Sequence, residues 1–441
     1  MLDTDHRGAS GSAGRPRFVP EPHRPGTGRP ALDRCIGIDS DTFARAHWSR
    51  AALLTPRAVA GGDFSDLFGV AAVDELISAH GLRTPFLRMA KDGSVLASTT
   101  FTRSGGVGAA VADQVADDKV LAQLAGGATL VLQALHRSWP PLITFGTALA
   151  TELGHPVQIN AYITPPQNQG FAAHYDTHDV FVLQVAGSKR WTIHAPVLAD
   201  PLPEQTWDQR KALVAARAAE EPLIDTVLAP GDALYLPRGF LHSAVAQGEV
   251  SIHLTVGVHP LTGYDLAREL ISAAADDRDL RRSLPMGLDV TDTAALTGYV
   301  SDAARRLAAA VAGVGTEQLD TVARTVGRRQ AQLNRPAPLP PLAQLAALAA
   351  LDAGTPLLLR PGLRPQLRRA GDRLLLDVID STISWPAQVD QALRLVLAGD
   401  VCTPAGLPGL DPDEQLVVAR RLLREGVVVP AAAEPGSTPG D

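Results

Sequence analysis

Alternation of period two governs the middle of the chain. In residues 157–163 (VQINAYI) Val157, Ile159, Ala161 and Ile163 are apolar, while Gln158, Asn160 and Tyr162 take the other face. Residues 251–256 repeat the pattern, with Ser251, His253 and Thr255 set against Ile252, Leu254 and Val256. Such alternation predicts half-buried strands. Val180 to Val185 is a near-continuous apolar run, which predicts a strand buried on both faces. In 189–193 (KRWTI), parity puts Lys189 on the apolar face with Trp191 and Ile193. The opposite register would turn Arg190 inward instead. The segments PPQNQG, AGS, APGD and QGE separate these strands. Several short strands at close spacing, punctuated by turn residues, predict a barrel or double-sheet jelly roll from Pro156 to His259.

Helical periodicity flanks this region. Asp39-Ser40-Asp41-Thr42 is a helix start ahead of Phe43, and Val73 to His80 predicts a helix capped by Gly81. Thr129 to Leu135 reads as a strand, Leu142 to Leu153 as a helix ended by Gly154, and Arg210 to Glu220 as a helical insertion in the barrel. From Tyr264 to about Leu351 the pattern is helical. Beyond 356, GDRLLLDVID predicts a strand pair or edge strand. SWPAQVDQALRLVLAGD and DPDEQLVVARRLLREG predict two helices before the VVVP strand, an order like that of a small winged helix. The expected organisation is a tail over 1–33, a barrel-containing domain over 34–262, a helical region over 263–352, a winged-helix-like module over 353–429 and a second tail over 430–441. The tails read as disordered, being rich in Gly, Pro and polar residues.

Composition narrows the class. The chain has 441 residues, 45% hydrophobic and 20% charged, which suits a globular protein of two or three domains. Its formal net charge of -7 gives no global pull toward nucleic acid or anionic lipid. The 360–429 module carries nine arginines and nine acidic residues, so DNA binding is disfavoured there too and protein contact preferred. Two cysteines, Cys35 and Cys402, exclude a disulfide framework and fit a reducing cytoplasm. No apolar run approaches the ~20 residues of a membrane span, and the N-terminus lacks a signal-peptide core.

Ionisable residues gather at the ends of the most apolar strands. His174-x-Asp176 puts an imidazole and a carboxylate on one face, as two ligands of a divalent cation would sit. By itself the pair reads better as a surface His and Asp at a strand start. His242, 68 residues on, begins another apolar strand after a Pro-Arg-Gly turn. It reads either as a third ligand or as a core histidine bonded to backbone. Two histidines and one carboxylate form the facial triad that leaves coordination positions open. Lysine is scarce, at four residues, and Lys189 is expected on an inward face with no acid nearby in sequence. A buried ammonium is costly unless paired, and the carboxylate of a dicarboxylic cosubstrate would pair it. The polar faces carrying Asn160, Tyr162, His253 and Thr255 border either solvent or a polar cavity.

Together INAY (159–162), HYDTHDVFVLQVAGSKRW (174–191), APGDALYLPRGFLHSA (229–244) and SIHLTVG (251–257) resemble the JmjC-type, cupin-like ribosomal oxygenases, which are Fe(II)- and 2-oxoglutarate-dependent protein hydroxylases. The resemblance is specific over 130–260. It implies an α+β protein: a double-stranded β-helix (cupin/jelly-roll, JmjC-like) core, a helical dimerisation region and a C-terminal winged-helix-like module. It implies Fe(II) on His174, Asp176 and His242, and Lys189 on the distal carboxylate of 2-oxoglutarate. Asn160 is expected near the cosubstrate, with Tyr162, His253 and Thr255 as further cosubstrate contacts and O2 as co-reactant. Gly257 stands where some relatives offer a hydroxyl, His178 is expected at the cavity mouth, and Asp179 is expected to be structural. The implied substrate is an Arg or His side chain of a ribosomal protein, acted on by a cytoplasmic homodimer. Rival readings are a hydroxylase of a small molecule or biosynthetic peptide, and a non-catalytic cupin-like binding or regulatory protein.

Overall fold

The computed structural model describes residues 28–431 apart from 61, 92, 109 and 170. The expected tails fall outside the described residues over 1–27 and 432–441. Where the first expected tail is described, it is ordered: a helix spans Pro30–Ile36, with a proline in its first turn. Glu152 accepts the backbone N–H groups of Ala31 (3.1 Å) and Leu32 (2.7 Å), and Leu32, Cys35 and Ile36 are buried. The Gly- and Pro-rich composition hid this short amphipathic turn. The next helix, Ser40–Ala46, is capped as the sequence predicts, Asp39 accepting from the N–H groups of Asp41 and Thr42.

The α+β class and the jelly-roll core are those the alternation predicts. The main sheet has nine strands, all paired antiparallel. Its order is Leu53–Thr55, Ala233–Leu236, Asp179–Pro196, Phe240–Val258, Val157–Thr164, Thr129–Leu132, Leu87–Lys91 and Ser94–Val95, with Ile224–Leu228 lying against Asp179–Pro196. Two long strands form the spine. Residues 179–186 of one pair with 252–258 of the other, and residues 188–196 pair with 240–247. The register breaks between Gln247 and Ile252, opposite Gly187. Gly187 has φ +58°, and a Cβ there would collide with the Val250 carbonyl. Only glycine allows this fold of the sheet on itself.

The apolar run now has its reason. Phe181, Leu183 and Val185 face a core shared with Phe43, Phe68, Leu76, Leu142 and Leu149 of the N-terminal helices. Val180 and Val182 face the other side, where Trp191, Ile193, Leu234 and Leu236 close the barrel. The strand is buried on both faces, so no polar alternation is left.

Local differences from the predicted elements have simple causes. The Thr129–Leu132 strand stops three residues early because Ala134, at φ +58°, turns the chain into the Leu135–Ser138 helix. The following helix starts at Pro140, two residues before the expected Leu142, and ends before Gly154 at φ +74°. Helices Gly263–Ala273, Thr293–Ala312, Thr316–Leu333 and Pro341–Ala349 lie in the helical region, and in the first three Val326 is the one buried hydrophobic among the described residues. The last unit is a meander of Gln366–Ala370, Arg373–Val378 and Ser381–Pro386, followed by helices Asp390–Leu397 and Pro412–Arg424. Its strands take in the start of the expected SWPAQ helix, because Trp385 and Ile383 point into the module's core from the third strand.

Candidate metal centre and cosubstrate cleft

His174 and His242 lie directly across from each other in an antiparallel bridge. Each backbone N–H donates to the other's carbonyl, at 3.1 Å and 2.9 Å. The backbone of Asp176 accepts from Gly239 N–H (2.9 Å), which ties the His174-x-Asp176 segment to the Pro-Arg-Gly turn before His242. The two motifs, 68 residues apart in sequence, are therefore locked by main chain before any side chain is considered.

One nitrogen or carboxylate oxygen from each of His174, Asp176 and His242 falls within 4.8 Å of the other two. The imidazole centroids are 4.5 Å apart, and His242 Nε2 lies 3.7 Å from Asp176 Oδ2. Nδ1–H of His174 donates to Ala172 O (2.7 Å), and Nδ1–H of His242 donates to Phe240 O (3.1 Å). Both tautomers are thereby fixed, leaving each Nε2 as a lone-pair donor. Burial pushes His242 down to about 4, and the neighbouring His174 adds to the shift, so its imidazole is neutral at pH 7. Burial alone would raise Asp176. The imidazoles of His178, His242 and His174 and the guanidinium of Arg88 outweigh it and hold the carboxyl below its ordinary range. Two imidazoles and one carboxylate converge on one point, and the chemistry of this donor set fits a divalent cation of the Fe(II) type with open positions.

The triad lines a cleft of about 350 Å³, which Lys189 also lines. Lys189 is buried at 4% exposure, with Trp191 and Ile193, while Arg190 turns out to pair with Asp225 (2.6 Å). The inward register is thus the one adopted. Among the described residues the one hydrogen bond of Lys189 Nζ is to Thr164 Oγ1 (3.1 Å), whose hydroxyl also accepts from Thr129 Oγ1 (3.2 Å). No carboxylate among the described residues reaches it, and burial pushes its pKa down to about 7. Other groups around the cleft share this want of partners. Arg88 Nε, Trp191 Nε1 and His253 Nδ1 are buried with no hydrogen-bond partner among the described residues. Buried polar atoms are rarely left unpaired in a finished interior, and a cluster of them marks the place of a polar ligand.

Tyr162, His253 and Thr255 line the same cleft, and the Tyr162 and His253 rings stack at 5.0 Å. His253 is held well below its ordinary pKa by burial and by Lys189. Asn160 is placed differently. It pairs with Thr255 across the sheet, but its Oδ1 accepts the Ala134 N–H (3.0 Å) at the turn into the Leu135–Ser138 helix, and it does not line the cleft. His178 stacks on His259 (5.0 Å) and packs on Gly257, where a Cβ would come within 2.6 Å of its ring. That contact gives Gly257 a steric reason for lacking a side chain. Asp179 is fully buried and accepts from Ser49 Oγ (2.8 Å), Tyr235 OH (2.6 Å) and Arg238 N–H (2.9 Å). This knot fixes the N-terminal helices to the barrel.

Sequence reasoning missed Arg88, Phe171 and Trp207. Arg88 enters the cleft from the Leu87–Lys91 strand, its guanidinium 5.3 Å from the Phe171 centroid. The signal was there in LRMAK, where Leu87 and Met89 are buried and Arg88 takes the opposite face.

An antiparallel jelly roll presenting a His/Asp/His set at one mouth has the fold and donor arrangement of a cupin-type metal site. Residues 145–266 match the family model described as JmjC domain. Among curated proteins it is similar to Ribosomal oxygenase 1 of Gallus gallus, 31% identical over 259 residues, covering 56% of this chain and 40% of that protein. It is also similar to the bifunctional lysine-specific demethylase and histidyl-hydroxylase NO66 of Drosophila grimshawi, 40% identical over 139 residues, covering 30% of this chain and 19% of that protein. The match thus spans less than half the length of these relatives. Among solved structures, the ribosomal oxygenase YcfD of Escherichia coli with cobalt and succinic acid superimposes with TM-score 0.51 at 20% identity, over 90% of this chain and 99% of that one. A second YcfD structure gives 0.50 at 19% identity, over 89% and 98%. At this identity the superposition establishes the shared fold.

Proposed function

We propose that the chain is an Fe(II)- and 2-oxoglutarate-dependent oxygenase that hydroxylates a protein side chain, an Arg or His of a ribosomal protein. The observation that carries this reading is the pairing, in one cleft, of the His174/Asp176/His242 set with a buried lysine that lacks an acid. His174 Nε2, His242 Nε2 and the Asp176 carboxylate would hold the metal. Lys189, with the Thr164 hydroxyl beside it, would take the distal carboxylate of 2-oxoglutarate. When bound, iron and 2-oxoglutarate supply an oxidation in which O2, 2-oxoglutarate and a C–H group give succinate, CO2 and C–OH.

The chain's own residues do the rest. The backbone bridge between His174 and His242 holds the donor geometry, and the two carbonyl-bound Nδ1–H groups keep both Nε2 lone pairs aimed inward. Asp176 stays ionised because the histidines and Arg88 offset its burial. The Trp191, Val180, Val182 and Leu236 side chains line an apolar wall that keeps water from the reacting centre. Arg88, Tyr162 and Trp207 line the same cleft with polar and aromatic groups suited to a peptide side chain.

The names of the relatives support a ribosomal protein as substrate. The exposed apolar residues of the helical region, among them Tyr264, Leu266, Ile271 and Val300, support homodimerisation. Both cysteines are free and no described helix is long and apolar enough to cross a membrane, which suits a cytoplasmic protein. The test is mass spectrometry of ribosomal proteins from a strain lacking this chain, incubated with the purified protein, Fe(II), ascorbate and 2-oxoglutarate. The expected result is a gain of one oxygen on a single Arg or His, absent with His174→Ala. No gain on any ribosomal protein, with turnover intact on a small molecule, would refute the substrate class.

A further inference from the structure

A second cleft, away from the metal centre, lies where the barrel domain, the end of the helical region and the last unit meet. It has a volume of about 540 Å³ and is continuous with a narrow side lobe through shared walls at His136, Arg137, Thr147 and Arg335. Four arginines reach it from three parts of the chain: Arg137, Arg335, Arg360 and Arg364. Among the described residues none of the four forms an ion pair, although most ion pairs of this acidic chain use arginine. Arg360 Nε donates to Ala337 O (2.7 Å) and Arg364 to Thr151 O (3.2 Å), which position these two guanidinium groups and leave their other N–H groups free. Among the described residues Arg137 and Arg335 have no side-chain hydrogen-bond partner. The one acid among the described lining residues is Asp380, and it forms no ion pair.

His136 adds a neutral donor. Its Nδ1 accepts the Ile159 N–H (3.0 Å), so its proton sits on Nε2. Burial, reinforced by Arg137, lowers its pKa to about 4, so it stays uncharged at neutral pH. Pro336, Pro338, Ile143 and Ile379 supply an apolar wall beside the cations.

We propose that this cleft binds a small ligand carrying two or more phosphate groups on an apolar body, of the nucleoside diphosphate class. Four like charges held at one place repel, and an anion of comparable charge relieves that cost. Guanidinium forks match phosphate oxygens in pairs, and a single carboxylate is too small in charge and in contacts to satisfy four of them. The volume lies in the range that holds small-molecule ligands, and the proline and isoleucine surface is suited to a flat ring. The site is independent of the oxygenase reading.

The test is calorimetric titration of the full-length protein with ADP, with tripolyphosphate and with adenosine, at physiological ionic strength. ADP and tripolyphosphate should bind saturably, and adenosine should bind far more weakly than ADP. The double variant Arg137→Ala/Arg335→Ala should lose about tenfold or more in ADP affinity, as expected when charge-assisted pairs go. Arg420→Ala, an exposed arginine on the last helix, should bind as the unaltered chain does. Both substituted arginines are exposed and unpaired, and circular dichroism would check that the fold is kept. If the double variant misfolds, Arg335→Gln alone gives the same readout. No saturable binding of ADP or tripolyphosphate, an equal loss in Arg420→Ala, or adenosine binding as tightly as ADP would overturn the proposal. Tighter binding of a single-stranded RNA lacking terminal phosphate, sensitive to the same arginines, would overturn it in favour of a nucleic-acid surface.

Discussion

Replacing Lys189 with Met should strengthen the empty fold and disable the cleft, two effects of opposite sign from one side chain. Lys189 is buried beside Thr164, without an acid, and its pKa falls from 10.5 to about 7. In the unfolded chain the group keeps its ordinary value, so between pH 7 and 10.5 the unfolded state binds more protons and stability rises with pH. Below pH 7 the lysine is charged in both states, and the folded protein bears the whole desolvation cost. A shift of this size corresponds to roughly 5 kcal/mol at ~1.36 kcal/mol per pKa unit, and at pH 7.5 to about 4 kcal/mol. Met fills similar volume with no charge, so the ligand-free variant should be more stable by about 1–4 kcal/mol at pH 7.5, part of the gain being offset by imperfect packing. The gap between the two proteins should hold below pH 7, shrink above it and vanish near 10.5. Affinity for 2-oxoglutarate should move the other way. Losing one partner of a buried charge pair costs roughly 2–5 kcal/mol, so binding should weaken by about 30-fold or more. Urea unfolding of the metal-free proteins across pH and anaerobic titration with Mn(II) and 2-oxoglutarate measure both quantities. A variant less stable than its parent at pH 7.5, or one that binds 2-oxoglutarate within threefold of it, would refute the assignment of Lys189 as a preformed carboxylate site.

Four further outcomes follow from the same geometry. With 2-oxoglutarate bound by the protonated lysine as proposed, its affinity should fall above pH 7, approaching tenfold per pH unit, with proton uptake visible as a buffer-dependent binding heat; a flat profile from pH 7 to 9 would contradict it. Asp179→Ala leaves Arg238, Tyr235 and Ser49 without their shared acceptor and should cost roughly 3–5 kcal/mol in urea unfolding. Gly187→Ala places a methyl group against the Val250 carbonyl and should cost roughly 2–5 kcal/mol, whereas Gly248→Ala, which shares the positive φ but meets nothing nearby, should cost less by the clash alone; equal melting temperatures would sink that account. His242→Ala should lower Mn(II) affinity far more than His178→Ala, since His178 packs on Gly257 and His259 outside the donor set.

The parts of the site legible in the sequence are those whose signal is local. His174-x-Asp176 follows strand parity, and Lys189 follows the same rule, because Trp191 and Ile193 announce the inward face two and four residues on. The apolar run 180–185 announced a strand buried on both faces, and the alternation in 157–163 and 251–256 marked the two strands that form one wall. What stayed hidden depends on contacts between distant segments. Arg88 reaches the cleft from a strand two places from Val157–Thr164 in the sheet, with no motif of its own. Asn160 shares a face with Tyr162, but parity could not reveal that Ala134 claims its amide oxygen. The helix Pro30–Ile36 lies in Gly- and Pro-rich sequence and depends on Glu152, about 120 residues away, for its first N–H groups. The cluster of Arg137, Arg335, Arg360 and Arg364 likewise forms only when three parts of the chain come together.

Succinate release by the purified protein with Fe(II), ascorbate and 2-oxoglutarate, in the presence of ribosomal proteins, tests the central claim most directly. The account expects metal-dependent succinate formation that is abolished in His174→Ala and strongly reduced in Lys189→Met, with both variants folded. Failure of the unaltered protein to bind iron or 2-oxoglutarate or to form succinate, or full turnover in either variant, would contradict it.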